Sequence, residues 1–316
     1  MVRVLVTGGA GFIGSHLVDL LSEDHEVTVL DNLSTGAIEN LQKQARIDSF
    51  VFIKGSITSD EDLERSMQDV TTVFHFAAQP DVRLSVQMPL LDFNVNVAGG
   101  LKLLEMMRKS DVKRIVFASS GGTIYGDTEV LPTPESTSLN PISNYGAAKA
   151  AFEMYLSSYS ELYGFHVVSA RFANVIGPRL THGVVYDFYM KLKDNPDKLE
   201  VLGNGKQEKV YVYISDAVEA TALLANRLGP GFLPVNVGSR DSLKVSCIAE
   251  IVLEELGFRN DLIEYTGGSK GWTGDVKRTA MDIGLLESLG WRAKVSAEDG
   301  IRQYLQWLVK EYGPVK

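Results

Sequence analysis

Thr7-Gly8-Gly9-Ala10-Gly11-Phe12-Ile13-Gly14 connects a short apolar run, Val2 to Val6, to a helical pattern from Phe12 to Leu21. A second apolar run, Glu26 to Leu30, follows, so the segment has the order strand, turn, helix, strand of a βαβ unit. In that position the glycines allow a tight turn, a close backbone approach and close packing of the helix. Because N–H groups at a helix start attract phosphate, the turn predicts a dinucleotide site, with an ordinary glycine-rich turn as the alternative.

Further apolar runs alternate with helical patterns as far as residue 170. The runs are Phe50 to Ile53, Thr72 to Phe76, Ile115 to Ala118 and Val167 to Ala170, and the helical patterns are Asp60 to Met67, Leu90 to Arg108 and Tyr145 to Tyr163. Continuous Val, Ile and Phe is typical of strands that are buried on both faces, which predicts a parallel sheet. The predicted fold class is therefore α/β, with a doubly wound parallel (Rossmann) sheet.

Glycine and proline become frequent after Arg171, where the regular alternation ends. Residues 1–170 are therefore predicted to form the dinucleotide-binding domain, and residues 171–316 a smaller, loop-rich substrate-binding domain. Lys209 to Ile214 and Leu233 to Asn236 are expected to return strands to the first domain.

The composition, 45% hydrophobic and 22% charged over 316 residues, is that of a globular chain. A net charge of -9 argues against a general affinity for nucleic acid or anionic membranes. The single Cys247 cannot form an internal disulfide, and no apolar run approaches the ~20 residues of a membrane span. The first apolar run is interpreted as a strand and not as a signal peptide. We expect a cytoplasmic protein with no membrane or nucleic-acid partner and no metal site.

Asp31 ends the second predicted strand. An acidic side chain at this position can accept hydrogen bonds from both adenosine ribose hydroxyls, and it repels a 2′-phosphate. The residue therefore favours NAD over NADP, although an Asp at a strand end can also be only a turn former.

Tyr145 and Lys149 lie four residues apart in a predicted helix, so their side chains share one face. A phenol with a pKa of about 10 is a poor base at neutral pH, whereas a nearby ammonium favours the ionised form. The spacing predicts an acid/base pair beside the dinucleotide. Taken alone it is equally typical of a half-buried helix surface.

Several short motifs accompany this pair in order along the chain: Asp31-Asn32-Leu33-Ser34, His75-Phe76-Ala77-Ala78, Ser119-Ser120 and Tyr125-Gly126. With them the chain resembles the extended short-chain dehydrogenase/reductase family, and within it the NAD-dependent nucleotide-sugar epimerases, most of all the UDP-glucose 4-epimerase group. The resemblance spans nearly the whole chain. It implies that Tyr145 moves a proton at the sugar 4-hydroxyl, assisted by Ser120, while hydride passes between C4 and a retained NAD. Lys149 is implied to lower the pKa of Tyr145 and to hold the nicotinamide ribose. It also implies a homodimer joined through the helices at Leu90 to Arg108 and Tyr145 to Tyr163.

The resemblance further implies two sets of binding residues. The set for NAD comprises Gly8, Gly11, Phe12, Ile13, Gly14, Asp31, Asn32, Ser34, Thr35, Gly36, Ser56, Ile57, Phe76, Ala77, Ala78, Gln79, Asn96, Ser119, Tyr145, Lys149 and Ala173. The set for the UDP-sugar comprises Arg83, Ser85, Ser120, Thr123, Tyr145, Asn174, Arg179, Lys209, Asp275, Arg278 and Thr279.

The chain departs from the family pattern at three places, and it differs from the related dehydratases at one more. The hydroxyl that normally shares the substrate proton falls at Gly121, so that Ser120, which we favour, Thr123 or a water must replace it. Lys209 stands where the family has an Arg, which removes the bidentate fork for a diphosphate. Trp272 replaces a second Arg, for which Arg278 is a candidate substitute, with a plain surface role as the alternative. Related dehydratases carry an Asp-Glu pair at the positions of Gly122 and Thr123.

That last difference favours epimerisation, because elimination of water requires an acid/base couple. A dehydratase, a decarboxylase, a reductase of the same family and a catalytically silent NAD sensor are the alternatives. Thr279 matches a position that gates the sugar C2 substituent, and its small side chain predicts that N-acetyl sugars are accepted beside UDP-glucose and UDP-galactose.

Overall fold

The computed structural model describes residues 2–268 and 276–315. The chain divides into two compact units. Unit 1 contains the residues up to Gly126, Ser138–Phe172 and Val218–Val235, and unit 2 contains Asp127–Thr137, Ala173–Ala217 and the described residues from Asn236 onward. The sequence analysis placed one division after residue 170, whereas the chain passes between the units at several points.

Twelve strands and twelve α-helices are present in the described ranges. The strands are β1 (Arg3–Thr7), β2 (Glu26–Asp31), β3 (Phe50–Lys54), β4 (Val70–His75), β5 (Arg114–Ser120), β6 (His166–Phe172), β7 (Asn174–Ile176), β8 (Leu199–Val201), β9 (Glu208–Tyr213), β10 (Gly231–Val237), β11 (Ser242–Lys244) and β12 (Ile263–Tyr265). The helices are α1 (Phe12–Leu21), α2 (Asp60–Ser66), α3 (Val82–Gln87), α4 (Pro89–Phe93), α5 (Gly100–Lys109), α6 (Gly121–Ile124), α7 (Asn144–Tyr163), α8 (Val184–Asp194), α9 (Ile214–Asn226), α10 (Val245–Leu256), α11 (Gly284–Ser288) and α12 (Ala297–Tyr312).

The main sheet has seven strands in the order β10-β6-β5-β4-β1-β2-β3. The pairings of β1 with β2 and β4, of β2 with β3, and of β5 with β4 and β6 are all parallel. The chain starts in the middle, proceeds to β3 at one edge and returns to β4 on the other side of β1, which confirms the predicted doubly wound sheet. In such a sheet ligands bind at the carboxyl ends of the strands where the direction reverses, here β1 and β4.

The predicted helix from Leu90 to Arg108 is interrupted. Between α4 and α5 the backbone forms a π-helix over Asn94–Gly99. Such segments insert an extra residue into a helix and occur often at functional sites. Beyond it, α5 packs closely on α7, since a Cβ at Gly100 would lie 2.5 Å from Cε2 of Phe152. The ring of Phe152 in turn lies edge-to-face on Phe117 of β5, with centroids 4.8 Å apart, so α5 and α7 cover one face of the sheet.

Unit 2 contains a three-stranded sheet in the order β11-β9-β7 and a two-stranded sheet of β12 and β8. The prediction that Lys209 to Ile214 returns to the main sheet is wrong, because β9 pairs with β7 on one side and β11 on the other. Its alternating Val and Tyr residues fit a central strand of either sheet, so the pattern did not identify the partners. Leu233 to Asn236 does lie in a strand of the main sheet, β10.

Over the described part of the chain, no helix combines the length and apolar character that a bilayer crossing requires.

Candidate active site

In the glycine turn between β1 and α1, the backbone lies very close to other backbone segments. Gly8 has a φ of 72°, and a Cβ there would lie 2.5 Å from the nitrogen of Ala77. A Cβ at Gly14 would lie 2.2 Å from the carbonyl oxygen of Gly8. Neither position can take a side chain without moving the backbone. The turn therefore lies directly against the segment that follows β4, at the predicted ligand-binding edge.

Asp31 holds this turn in place from the end of β2. Its Oδ2 accepts a hydrogen bond from the backbone nitrogen of Ala10 at 2.9 Å, and its Oδ1 accepts one from Leu33 at 2.8 Å. Gly36 adds a further contact, since a Cβ there would lie 2.7 Å from the carbonyl carbon of Ala10. Each carboxylate oxygen retains a second lone pair, so Asp31 can support the turn and still accept a ribose hydroxyl.

Other members of the predicted NAD set lie around the same edge. Asn32, Ser34 and Thr35 are exposed after β2, while Ile57 is buried after β3. The backbone nitrogen of Ser56 donates to Oδ2 of Asp62 at 3.0 Å, which fixes the turn after β3.

His75, at the end of β4, is a neutral structural residue. Its Nδ1 lies 2.8 Å from Oγ1 of Thr7, and its ring stacks on Phe117 with centroids 5.6 Å apart. Burial, and secondarily the Lys149 charge, lowers the pKa of His75 to about 3. The imidazole therefore stays uncharged at physiological pH and links β4 to β1.

A buried polar cluster follows β4, and the sequence analysis identified only part of it. Asn96 accepts a hydrogen bond from the backbone nitrogen of Gln79 at 2.9 Å and donates to the carbonyl of Gln79 at 3.0 Å. Asp92 accepts hydrogen bonds from both side chains. Gln79 and Asn96 had been assigned to NAD, whereas Asp92 had not been singled out. Its position four residues before Asn96, one helical turn away, is the signal that could have identified it.

Ser119, near the end of β5, is an unsatisfied polar group. Its Oγ is buried and has no hydrogen-bond partner among the described residues. A buried hydroxyl without a partner costs free energy, so a partner from a ligand is expected. The Gly8 and Gly14 cradle, the Asp31 carboxylate and the Ser119 hydroxyl together fit the parts of NAD.

Tyr145 and Lys149 come from the first turns of α7, whose start is firmly held. The Ser143 hydroxyl accepts a hydrogen bond from Gly146 at 3.1 Å, and the Ser85 hydroxyl accepts one from the backbone nitrogen of Tyr145 at 3.1 Å. Nζ of Lys149 donates to the carbonyl of Ala118 at 2.9 Å and lies 5.6 Å from the centroid of the Tyr145 ring. The structure thus brings the predicted pair together beside the end of β5.

The surroundings shift the pKa values of both Tyr145 and Lys149. Burial, and then the negative charge of Asp92, raises the pKa of Tyr145, whereas a hydrogen bond with Ser120 lowers it. Burial lowers the pKa of Lys149 to about 8, while the charges of Asp92 and Glu153 act in the opposite direction. The phenol therefore needs help to ionise, and Ser120 supplies part of it.

Ser120 is also the better placed of the two candidate hydroxyls at this point. The Thr123 hydroxyl donates to the carbonyl of Ser120 at 3.4 Å, within the turn of α6. The Ser120 side chain instead interacts with the Tyr145 phenol. Among the residues proposed to replace the hydroxyl missing at Gly121, the geometry favours Ser120.

The two candidates on α3 differ in what they can do. Ser85 is buried, and besides accepting from Tyr145 its hydroxyl donates to the carbonyl of Val82 at 2.7 Å. The bond that the hydroxyl accepts anchors the start of α7, and the bond that it donates stays within α3, so Ser85 supports the position of Tyr145. Arg83 is exposed on the same short helix.

Within unit 2, three of the predicted sugar-binding residues gather around β9. Asn174 donates to the carbonyl of Val210 at 3.2 Å, and the Thr279 hydroxyl accepts from the nitrogen of Val210 at 3.2 Å. Nζ of Lys209, in β9 itself, donates to the carbonyl of Val276.

The remaining predicted residues of unit 2 do not share one set of surroundings. Arg278 is exposed and pairs with Glu208, with Nε 3.2 Å from Oε2. The nitrogen of Ala173 donates to the carbonyl of Val237 at 2.8 Å, and Arg179 has a positive φ of 69°. Asp275 and Trp272 lie outside the described residues.

A buried ion pair, also missed by the sequence analysis, lies one turn beyond Lys149 on α7. Glu153 receives hydrogen bonds from Arg171 at 2.6 to 3.2 Å and from the Ser169 hydroxyl at 2.8 Å. Arg171 also donates to the hydroxyl of Tyr125 at 2.9 Å. The pair joins α7 to β6, and the spacing Tyr145, Lys149, Glu153 could have pointed to it.

Gly14→Ala is expected to weaken NAD binding about ten- to a hundredfold. Its Cβ would enter the contact with Gly8, and an overpacked site costs about 1–3 kcal/mol. Calorimetric titration of NAD into the cofactor-stripped protein measures the change. Gly229→Ala is the control, because its Cβ would have no neighbour within 4 Å. Equal affinities in the two variants would contradict the assigned cradle.

Comparison with known proteins identifies the family of the chain. The NAD-dependent epimerase/dehydratase family matches residues 4–238. A putative UDP-glucose 4-epimerase of Methanocaldococcus jannaschii is 38% identical over 96% of this chain and 98% of its own. The crystal structure of the UDP-glucose 4-epimerase of Thermotoga maritima with UDP-glucose has a TM-score of 0.89 and 37% identity, covering 98% of this chain and 99% of its own.

The dTDP-glucose 4,6-dehydratase of Streptomyces venezuelae, solved with NAD, has a TM-score of 0.91 and 30% identity, covering 98% of both chains. Epimerases and dehydratases are therefore both similar to this chain over its whole length. From the glycine cradle, the Tyr145 and Lys149 pair and these matches it follows that the protein is an enzyme of the NAD-dependent epimerase/dehydratase family.

Proposed function

We propose that the protein is an NAD-dependent UDP-sugar 4-epimerase that interconverts UDP-glucose and UDP-galactose through a transient 4-keto sugar and retains its cofactor. The observation that carries the proposal is the setting of Tyr145 beside Lys149 and Ser120, with Gly122 and Thr123 next along the chain. This arrangement supplies a base for a hydroxyl proton but no carboxylate at the positions where the related dehydratases carry their acid/base pair.

Each residue of the pair has a distinct task. NAD, when bound, supplies the acceptor and the donor of the C4 hydride. The Tyr145 phenol takes the proton of the sugar 4-hydroxyl and later returns it, while the Ser120 hydroxyl stabilises the ionised phenol. The Lys149 ammonium, held by the carbonyl of Ala118, faces the phenol ring and favours its ionised form.

Dehydration is the second candidate, because the similar chains include dehydratases. A Cβ at Gly122 would have no neighbour within 4 Å. Among the described residues, no other side chain therefore occupies the position of the carboxylate that the dehydratases carry there. A silent NAD sensor is the third candidate, and Gly121 is the feature that favours it. Tyr145 and Lys149 argue against it, since a sensor has no need of a base.

Incubation of the purified protein with UDP-galactose, without added NAD, separates these functions. The proposal expects UDP-glucose to form, with the cofactor still bound at the end. A parallel incubation uses dTDP-glucose as the substrate. Its consumption with loss of water would instead establish a dehydratase. Bound NAD with no conversion of either substrate would establish the sensor.

Thr279→Tyr is expected to lower the activity on UDP-N-acetylgalactosamine at least about tenfold while preserving activity on UDP-galactose. The proposal is that the small Thr279 side chain leaves room for the N-acetyl group, and a larger side chain would remove that room. The ratio of kcat/KM for the two sugars measures the effect. Thr279→Ser is the control and should leave the ratio near its original value; an unchanged ratio in Thr279→Tyr would show that another residue sets the selectivity.

We also propose a cytoplasmic homodimer joined through α4 and α7. Both helices carry large exposed apolar side chains, including Leu90 at 76%, Phe93 at 52% and Leu162 at 68% exposure. Apolar patches of this kind mark protein contact surfaces.

Phe93→Asp with Leu162→Asp is expected to give a monomer by light scattering, because the two charges would disrupt this surface. Ile47→Asp is the control, since Ile47 is an exposed apolar residue elsewhere in unit 1, and it should leave the mass unchanged. A monomeric wild-type protein would refute the proposal.

A further inference from the structure

Asp92 is a buried carboxylate for which the proposed reaction has no assigned use. It lies in α4 with 1% of its surface exposed. Nε2 of Gln79 and Nδ2 of Asn96 both donate to the same oxygen, Oδ1, each at 3.0 Å. The second oxygen, Oδ2, takes no part in these two bonds. Oδ1 therefore carries both hydrogen bonds, while the negative charge is shared by the two carboxylate oxygens.

The two donors connect Asp92 to the NAD site. Asn96 also binds both the nitrogen and the carbonyl of Gln79, and it lies in the π-helix. Gln79 ends the segment that starts with Ala77, against which Gly8 packs. The carboxylate is thus the fixed point to which the segment after β4 and the π-helix are both tied. Loss of Oδ1 would remove one acceptor from each of the two buried amide nitrogens at once.

The charges around Asp92 come from several elements. From α7, Tyr145 and Lys149 interact with it, and Glu153 interacts with Lys149. Glu153 is neutralised by Arg171 of β6. From β4, His75 is neutral, since burial and then Lys149 lower its pKa to about 3.

Asp81, which precedes α3, is the other carboxylate near Gln79. Its Oδ1 accepts hydrogen bonds from the nitrogens of Arg83 and Leu84, at 2.7 and 3.0 Å. It caps α3, whereas Asp92 is the carboxylate whose charge acts on Lys149. Burial raises the pKa of Asp92, while the hydrogen bond from Gln79, the Lys149 charge and the hydrogen bond from Asn96 lower it.

We propose that Asp92 is a positioning residue for the catalytic pair, which fixes Gln79 and Asn96 through Oδ1 and balances the Lys149 ammonium through its negative charge. As a statement about catalysis, this rests on the proposed function. The charge acts on both members of the pair in the same direction, because it raises the pKa of Tyr145 and that of Lys149. Removing it should make both groups release their protons at lower pH.

Asp92→Asn separates the two roles, because its Oδ1 can still accept both hydrogen bonds while the charge is lost. The holoenzyme should bind NAD as before, with the pH optimum of kcat/KM moved by about one pH unit toward acid. Asp92→Ala loses both roles and should also bind NAD at least about tenfold more weakly. Asp81→Asn is the matched control, since its Oδ1 likewise keeps both of its bonds; its profile should coincide with that of the wild type.

A second readout does not depend on turnover. The pKa of Lys149 can be followed in the NAD-bound full chain by the ¹³Cε resonance of labelled lysine, assigned with Lys149→Arg. The midpoint should fall in Asp92→Asn and stay unchanged in Asp81→Asn. An unchanged midpoint in Asp92→Asn would overturn the proposal, whether or not a UDP-sugar is turned over. Failure of the wild type to convert any UDP-sugar, together with a shifted midpoint, would refute the proposed function but not the role of Asp92.

Discussion

Tyr145→Phe is expected to reduce the conversion of UDP-galactose by a factor of about 10²–10⁴, the usual contribution of a general acid or base. The substitution removes only the hydroxyl. The ring that Lys149 faces remains, and the hydrogen bond from the nitrogen of residue 145 to Ser85 does not involve the side chain. The protein should therefore fold and keep its NAD. Turnover is measured on the purified variant, and the bound cofactor is determined after denaturation.

Tyr155→Phe is the matched control, because Tyr155 is an exposed phenol on the same helix. It should retain full activity and full cofactor content. Persistent activity in Tyr145→Phe would mean that another group moves the proton. Loss of NAD together with activity would mean that the phenol holds the cofactor and would leave the base to be found elsewhere.

Glu153→Gln is expected to lower the free energy of unfolding by about 3–5 kcal/mol, because it removes the carboxylate charge that pairs with the buried Arg171. The side chains of Glu153 and Arg171 are 0% and 4% exposed, so water cannot replace the lost partner. This is a large part of the stability of a typical domain. Urea unfolding followed by circular dichroism measures the loss.

Glu161→Gln, an exposed position on the same helix, should change the free energy of unfolding by no more than about 0.5 kcal/mol. A double variant, Glu153→Leu with Arg171→Met, tests the cause. It removes both charges and should recover much of the loss, since a buried ion pair can often be replaced by apolar residues. A loss in Glu153→Gln no larger than in Glu161→Gln would show that the pair contributes little.

The fold was predictable where the signal is local. The glycine turn before α1 and the continuous apolar strands follow from residues that are neighbours in the sequence, and the doubly wound sheet followed from them. The sheet membership of β9 did not, because its partners β7 and β11 lie about thirty residues to either side and many strands could pair with it. The π-helix was missed because no residue pattern in the segment distinguishes it from an α-helix.

In the candidate site, too, local spacing was predictable from the sequence, whereas contacts between distant residues were not. The spacing of Tyr145 and Lys149 placed them on one face of α7, where the structure has them. The choice between Ser120 and Thr123 required the direction of each hydroxyl, which spacing does not give. Asp92 was missed because its partner Gln79 lies on the other side of α3 in the sequence, and the spacing to Asn96 alone does not show that contact. Arg171 was missed for the same reason, since its carboxylate partner is on another element.

The two hydrogen bonds that Asp31 receives have a consequence for redesign of the enzyme. To accept NADP, this acidic side chain would have to give way to a smaller or basic one. The backbone nitrogens of Ala10 and Leu33 would then lose their acceptor, at a cost of about 1–3 kcal/mol for each that stays buried. The side chain that the sequence analysis expects to favour NAD is therefore also the one that holds the turn. A substitution that removes the Asp31 carboxylate is therefore expected to destabilise this turn as well, unless other residues supply acceptors for Ala10 and Leu33.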